Sequence, residues 1–512
     1  MARHFSGLHP FEQEVRVPKR ALRTTVAVAV AMTATSALAA TAVQAAPMSP
    51  VANAAPDKVD FNGDGITDVA VAAPGATVSG EGQAGYVAVA YGSAAGVKTL
   101  YKKVFHQNST GIPGSAEQDD RFGSTVASGD VDGDGYTDLV VGSQGESVGS
   151  LHGAGSLTVL WGGANGLSGG TVIKGTANYQ HIGAAAAVDD FNGDGHLDMA
   201  TGTTVSYGPM SRTGGWTRTD EMTVEVGGSA EELWGRPEFA TGDVNGDGIS
   251  DLVALISHGS EELPYHGPRL VQYLQGTSAG LSEARTLKDP SGKTLDGGRS
   301  VAVGDIDRDG YADIVLGRTS EYDMRGTEDV NDVGGGIEVV AGTATGPDTT
   351  SPRTLIHQDT PGVPGSAEEM DGFGDSVSLG DANGDGYLDL AIGAGREDVG
   401  SAKDAGSVTV LKGSAGGLTV TGARSFTQNT GGVPGSAETG DAFGRAVKLA
   451  DVSGDGKTEL FAGAPYENGA AGGVWAFPST ASGVTATGAY SFGAGTLGQI
   501  AANAVLGWSF ND

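Results

Sequence analysis

The chain has 512 residues, with 62 acidic against 30 basic side chains and a net charge of −32. Such a field repels nucleic acid and anionic lipid and attracts cations, so no nucleic-acid partner is expected. Glycine, at 87 residues, is more than twice ordinary usage, yet 38% hydrophobic content supplies a core, and the lack of cysteine excludes disulfides and cysteine-ligated zinc.

The N-terminus reads as a targeting segment. VRVPKRALR is basic, TTVAVAVAMTATSALAATAV is apolar and rich in alanine, and VQAAP offers small residues for cleavage, which together predict a secretory signal peptide over residues 1–45. A short linker, 46–56, leads to the mature domain at 57–512. No later segment approaches eighteen apolar residues in a row, so the mature chain is expected to lack a transmembrane segment and to be an extracellular monomer.

From residue 60 the chain repeats itself. DFNGDGITD starts at Asp60, followed by DVDGDGYTD at Asp130, DFNGDGHLD at Asp190, DVNGDGISD at Asp243, DIDRDGYAD at Asp305, DANGDGYLD at Asp381 and DVSGDGKTE at Asp451. Fixed-period similarity of this kind marks a repeat architecture, here of seven units. Upstream of six loops stands a bulky apolar residue before glycine, or its remnant: Phe122-Gly123, Ile182-Gly183, Trp234-Gly235, Gly297-Gly298, Phe373-Gly374 and Phe443-Gly444. Downstream come short apolar runs such as VAVAAPG, LVVGSQG, LAIGAG and LFAGAP, then a further run such as GYVAVAYG or GSVTVLKG, each bounded by glycine and reading as a buried strand. Three units also share a long linker, GIPGSAEQDDRFG, GVPGSAEEMDGFG and GVPGSAETGDAFG.

A unit of four short strands cannot bury both of its faces, whereas radial repetition does so and leaves only short protected edges. The expected fold is therefore all-β, a seven-bladed β-propeller of four-stranded blades with cation-binding hairpin loops. The ending VLGWSFND, in which Leu506-Gly507 resembles the start of another unit, predicts that the C-terminal strand completes the first blade and closes the ring.

Within each loop, the side chains at positions 1, 3, 5 and 9 and the backbone carbonyl at position 7 offer oxygen to one hard cation. Glycine at position 6 permits the sharp turn around it. The candidate ligands are Asp60, Asn62, Asp64, Ile66 and Asp68 in the first loop, and Asp130, Asp132, Asp134, Tyr136 and Asp138 in the second. The third offers Asp190, Asn192, Asp194, His196 and Asp198, and the fourth Asp243, Asn245, Asp247, Ile249 and Asp251. In the fifth they are Asp305, Asp307, Asp309, Tyr311 and Asp313, in the sixth Asp381, Asn383, Asp385, Tyr387 and Asp389, and in the seventh Asp451, Ser453, Asp455, Lys457 and Glu459. An EF-hand needs a bidentate acid at position 12 between helices, but Val71, Val141, Thr201, Ala254, Leu316, Ile392 and Ala462 stand there, with strand-like flanks. Asp, Asn and Gly favour turns on their own account; a turn alone, however, does not call for three or four oxygen donors in every copy. Up to seven Ca2+ ions are expected, each stabilising by about 1.4 kcal/mol at roughly 1 mM calcium and a site constant of about 0.1 mM.

The Phe-Gly pairs, the acidic loops and Gly463-Ala464-Pro465 resemble FG-GAP repeats, the propeller module of integrin α chains, over residues 57–512. The resemblance implies a seven-bladed propeller with calcium between the first and second strands of blades. It also implies adhesion, or glycan or protein binding, although fold does not fix function. Integrin-type propellers carry calcium in only some blades, so seven acidic loops form a fuller set.

Two irregular regions are candidate ligand sites, because aromatic rings beside Arg and His suit a sugar or polymer. They contain Tyr207, Arg212, Trp216, Arg218 and Trp234, then His258, Tyr265, His266 and Arg269. Gly-x-Ser-x-Gly strings around Ser147 and Ser278 lack the strand-to-helix context of a hydrolase nucleophile. A secreted binding module for glycan or protein is thus the expected function, with a propeller-fold polysaccharide lyase or other hydrolase as the alternative.

Overall fold

The computed structural model describes residues 58–224, 237–257, 269–318, 333–353 and 355–511. The expected signal peptide and linker, and the candidates Trp234, His258, Tyr265 and His266, lie outside these residues.

Among the described residues, seven antiparallel blade sheets follow one another along the chain, each a meander in chain order, and a short hairpin, Ser479–Thr480 with Gly483–Val484, is inserted before the last strand of the seventh. The second blade is typical, with strands Phe122–Gly129, Asp138–Ser143, Ser156–Trp161 and Ser168–Lys174. Its middle strands pair Leu139 with Leu160 and Val141 with Thr158. The sixth blade repeats this plan with Phe373–Gly380, Asp389–Ala394, Ser407–Lys412 and Thr419–Phe426. Second and third strands such as Val69–Ala73 and Tyr86–Tyr91 are buried at every residue. They are covered on both faces by neighbouring blades, so they read as continuous apolar runs; the fourth strands, such as Thr419–Phe426, show alternation and polar residues.

The core is divided among the blade junctions. One cluster joins Phe61, Val89 and Tyr91 of the first blade to Phe122, Leu139 and Leu160 of the second, and further clusters serve each successive pair. A separate cluster joins Val71 and Tyr86 of the first blade to Phe461 and Val474 of the last, with Leu506 and Phe510 between them. The apolar residue that opens a unit ties it to the blade before: the backbone N–H groups of Phe122, Ile182, Phe373 and Phe443 donate to the carbonyls of Ala84, Ala154, Gly334 and Ala405 at 2.8–3.1 Å.

The first blade has only three strands of its own, Val69–Ala73, Tyr86–Tyr91 and Tyr101–Phe105. The chain end lies where its innermost strand would be. Phe510 pairs antiparallel with Val71, the Ala72 N–H donates to Ser509 O at 2.9 Å, and Asn511 both donates to Ala70 O and accepts from Ala70 N through its side chain at 2.7 Å. Leu506 meets Gly472 of the seventh blade in a parallel bridge, as Phe373 meets Gly335, so it fills the position of an opening aromatic residue.

Candidate cation loops and the opposite face

Six of the acidic loops join the first strand of a blade to the second, and the loop at Asp60 leads into the second strand of the blade whose innermost strand is the chain end, so all seven lie at the same ends of the blades. Their second residue anchors them: Phe61, Val131, Phe191, Val244, Ile306, Ala382 and Val452 are all completely buried. Burying such a side chain contributes about 1.5–3 kcal/mol. The nine-residue acidic pattern draws the eye to oxygen atoms, yet this apolar position is just as regular.

The carboxylates organise the turn. In the first loop Asp60 accepts from the N–H groups of Gly63 and Gly65, both at 2.7 Å, Asn62 Oδ1 accepts from Asp64 N at 2.8 Å, and Asp64 Oδ1 accepts from Ile66 N at 2.9 Å. The second loop repeats this through Asp130, Asp132 and Asp134. Position 1 thus draws the backbone N–H groups of the turn around its own carboxylate.

Position 9 is held from outside the loop. Asp68 accepts from Phe61 N at 2.9 Å and from Gly92 N at 2.8 Å, the latter at the end of the third strand. The same pair of donors serves Asp138, Asp198, Asp251, Asp313 and Asp389, through Gly162, Gly208, Gly276, Gly342 and Gly413. These glycines are required by close approach, since a Cβ at Gly162 or Gly413 would sit 2.2 or 2.3 Å from the carbonyl oxygen of Thr137 or Leu388. The seventh loop departs from the plan: Ser479 occupies the glycine's place and donates its hydroxyl to Thr458 O at 2.6 Å, and the longer Glu459 accepts from Ser453 N at 3.2 Å.

Neighbouring loops touch one another. The position 7 side chain of one loop leans over position 4 of the loop before it, Tyr136 over Gly63, Ile249 over Gly193, Tyr311 over Gly246, Lys457 over Gly384 and Ile66 over Gly454. These glycines have φ of +68° to +76°, and a Cβ at Gly63, Gly193 or Gly246 would come within 3.0 Å of the incoming side chain. Arg308 alone breaks the pattern, at φ +63°, and there Tyr387 meets its guanidinium 6.0 Å from the ring centroid. Backbone bonds reinforce the contacts, with Thr137 N donating to Asp60 O at 3.1 Å and Thr458 N to Asp381 O at 2.9 Å.

The electrostatics of the loops favour a cation. Burial, and then the charge of neighbouring carboxylates, pushes position 9 up to about 7 at Asp68, Asp138, Asp251, Asp313 and Glu459 and to about 6 at Asp198 and Asp389. Asp130, Asp132 and Asp138 bring ligand oxygens within 4.8 Å of one another, as do Asp305, Asp307 and Asp309. An all-oxygen donor set of this kind fits a hard divalent ion.

Two basic residues approach the same oxygens. Arg212 pairs with Asp132 and Asp134 and stacks on Trp161 at 5.1 Å. In the seventh loop Lys457 pairs with Asp455 at 2.9 Å.

The ligand candidates named from sequence separate. Arg212 is committed to the second loop, Trp216 packs on the core between the second and third blades, and Tyr207 is buried beneath Arg218, whose guanidinium lies 3.9 Å from the ring centroid and donates to Ala279 O. Arg269 instead belongs to a group that sequence spacing does not reveal. It begins the third strand of the fourth blade, Arg299 and Arg445 precede the first strands of the fifth and seventh, and Arg396 follows the second strand of the sixth. All four therefore lie at the strand ends opposite the acidic loops. Arg269 Nη1 donates to Arg299 O, and a Cβ at Gly395 would touch both Arg445 and Asp375. Burial lowers the affinity of Arg269 and Arg299 for their protons, and the charge of Arg445 lowers both further. Arg269 and Arg445 come from blades three apart. Among the described residues, none of the four is paired with a carboxylate; Arg445 faces the Trp508 ring at 5.9 Å. Ser147 and Ser278 lie in connecting loops, away from any helix.

Comparison with protein families agrees with this architecture. The FG-GAP repeat model matches residues 52–89, 122–160, 297–336, 373–411 and 443–477, and the FG-GAP-like repeat model matches 243–316. Curated relatives include integrin alpha pat-2 of Caenorhabditis briggsae, 30% identical over 235 residues, or 44% of this chain and 17% of that protein. Phosphatidylinositol-glycan-specific phospholipase D of Mus musculus is 31% identical over 158 residues, 30% of this chain and 18% of that protein. The matches thus span less than a fifth of these relatives. Among solved structures, rhamnogalacturonan lyase YesW aligns over 67% of this chain and 60% of its own, at 13% identity and a TM-score of 0.33.

Proposed function

Because the chain belongs to the FG-GAP repeat family of β-propellers, we propose that it is a secreted, calcium-stabilised binding module for carboxylate-bearing glycan or protein ligands. Calcium is held by the carboxylates and amides at loop positions 1, 3, 5 and 9 with the position 7 carbonyl, and its charge offsets the burial that raises the ninth carboxyl group. Its role is structural: the ions fasten the first strand to the second in each blade and keep the touching loops in one row.

One observation carries the ligand assignment. In a chain of net charge −32, Arg269, Arg299, Arg396 and Arg445 gather at the strand ends away from the acidic loops. Holding like charges together is unfavourable unless an anion joins them, and guanidinium groups match carboxylates in a two-pronged geometry. Glu238, Asp296 and Asp375 lie within range and temper the field, so the group suits a single carboxylate better than a dense polyanion. No helix among the described residues is long and apolar enough to cross a membrane.

An array of neutral and acidic oligosaccharides and acidic peptides, probed with the wild type and with Arg299→Gln and Arg445→Gln, tests this reading. Acidic probes are expected to bind and both substitutions to weaken them at least tenfold. Equal binding of neutral probes, or binding indifferent to the arginines, overturns the assignment. Release of unsaturated fragments from a bound polysaccharide would replace binding with the lyase alternative.

A further inference from the structure

The three long linkers, 106–121, 357–372 and 427–442, build a second set of acidic clusters at the strand ends opposite the acidic loops. In the second blade Gln107 Nε2 donates to Glu146 Oε2 at 2.6 Å, beside Asp120, whose Oδ2 accepts from Glu117 N at 2.7 Å. The sixth blade repeats this with Gln358 on Glu397 and Asp371 accepting from Glu368 N at 2.7 Å. In the seventh, Gln428 Nε2 donates to Glu467 Oε2 at 2.6 Å and Asp441 accepts from Glu438 N at 2.8 Å.

A separate observation points to a ligand. The three glutamines are 3%, 3% and 1% exposed, and in every copy the amide Oε1 is buried without a hydrogen-bond partner. Leaving such an oxygen unsatisfied costs about 1–3 kcal/mol, and the chain does so three times in one setting. The orphan shares its amide with the nitrogen that touches the glutamate, so it borders the acidic cluster. In the seventh blade the Asp441 and Glu467 carboxyl groups are themselves in hydrogen-bonding contact, with Gln428 and Glu438 as their further neighbours.

We propose that each of these clusters holds a calcium-class divalent cation, ligated by the glutamine Oε1 and by the aspartate and glutamate carboxylates. The donors are all oxygen, as such an ion prefers, and its two charges balance a buried aspartate and a buried or half-buried glutamate. These sites would clamp the linker between one blade and the next, at the ends of the strands that the acidic loops do not reach.

The test is a crystal structure of the wild-type protein grown in calcium, with anomalous diffraction, accompanied by metal analysis. Anomalous peaks are expected about 2.3–2.6 Å from Oε1 of Gln107, Gln358 and Gln428, and Gln428→Leu is expected to remove one calcium per chain while leaving the acidic-loop peaks in place. Water at these positions, or a protonated carboxyl O–H donating directly to the glutamine Oε1, overturns the proposal, as does an unchanged calcium content in the variant. Should the variant fail to fold, the wild-type map decides alone.

Discussion

The sixth and seventh acidic loops share a plan, yet their ninth residues live in different surroundings. Asp389 accepts from Ala382 N at 3.2 Å and from Gly413 N at 2.9 Å, so a residue of the third strand fixes its orientation. Glu459 lacks that glycine; Ser479 stands in its place, and Lys457 already answers Asp455. The placement of the ninth carboxylate is therefore only half a property of the nine-residue motif. Its other half comes from a strand 24 residues downstream, and a site can keep its acids while losing the clamp that aims them.

Removing the cation should produce the largest effect. Seven sites at about 1.4 kcal/mol each approach 10 kcal/mol, so excess chelator is expected to lower the calorimetric melting temperature by more than about 10 °C. A melt indifferent to chelator would reject calcium as a structural element.

Deleting residues 505–512 separates the two loops on a second basis. The cut removes Leu506 and Phe510 from the core shared by the first and seventh blades, which includes Val452 of the seventh loop and none of the sixth. A loss of roughly 5–10 kcal/mol is expected from the two side chains, with hydrogen exchange rising in the first and seventh blades before the sixth. Uniform exchange across all blades would show that the chain end is not a local clasp.

Single substitutions at position 9 sharpen the contrast. With calcium present, Asp389→Asn is expected to cost about 2–3 kcal/mol, because a charged, doubly hydrogen-bonded ligand is lost. Glu459→Gln should cost less than about 1 kcal/mol, and equal losses in denaturant melts would erase the distinction. The smallest difference lies in the clamp: Gly413→Ala forces a Cβ to 2.3 Å from Leu388 O and should destabilise by about 2 kcal/mol. Ser479→Ala surrenders one hydroxyl bond, worth about 1 kcal/mol.

Much of the fold is legible in the repeat. The apolar runs after each loop become second and third strands because blades cover them on both faces, which abolishes alternation and leaves Val, Ile and Ala throughout. The acidic oxygens are legible too, since Asp at positions 1 and 5 recurs without exception. The ligand candidates are less so. Arg212 and Trp216 stand close in sequence, and tertiary packing sends the first to an acidic loop and the second into a core. Arg269, Arg299, Arg396 and Arg445 come from four blades with no common motif, so nothing local marks them as one group.

The sequence by itself determined the number of blades, the strand runs and the oxygen donors of the loops, because each is a matter of short-range pattern repeated seven times. Tertiary structure alone decided which glycine aims each ninth carboxylate, which side chain roofs the next loop, and which arginines and glutamines face one another. Those relations join residues from different strands and blades, and a pattern with a period of one unit carries no record of what lies across the gap.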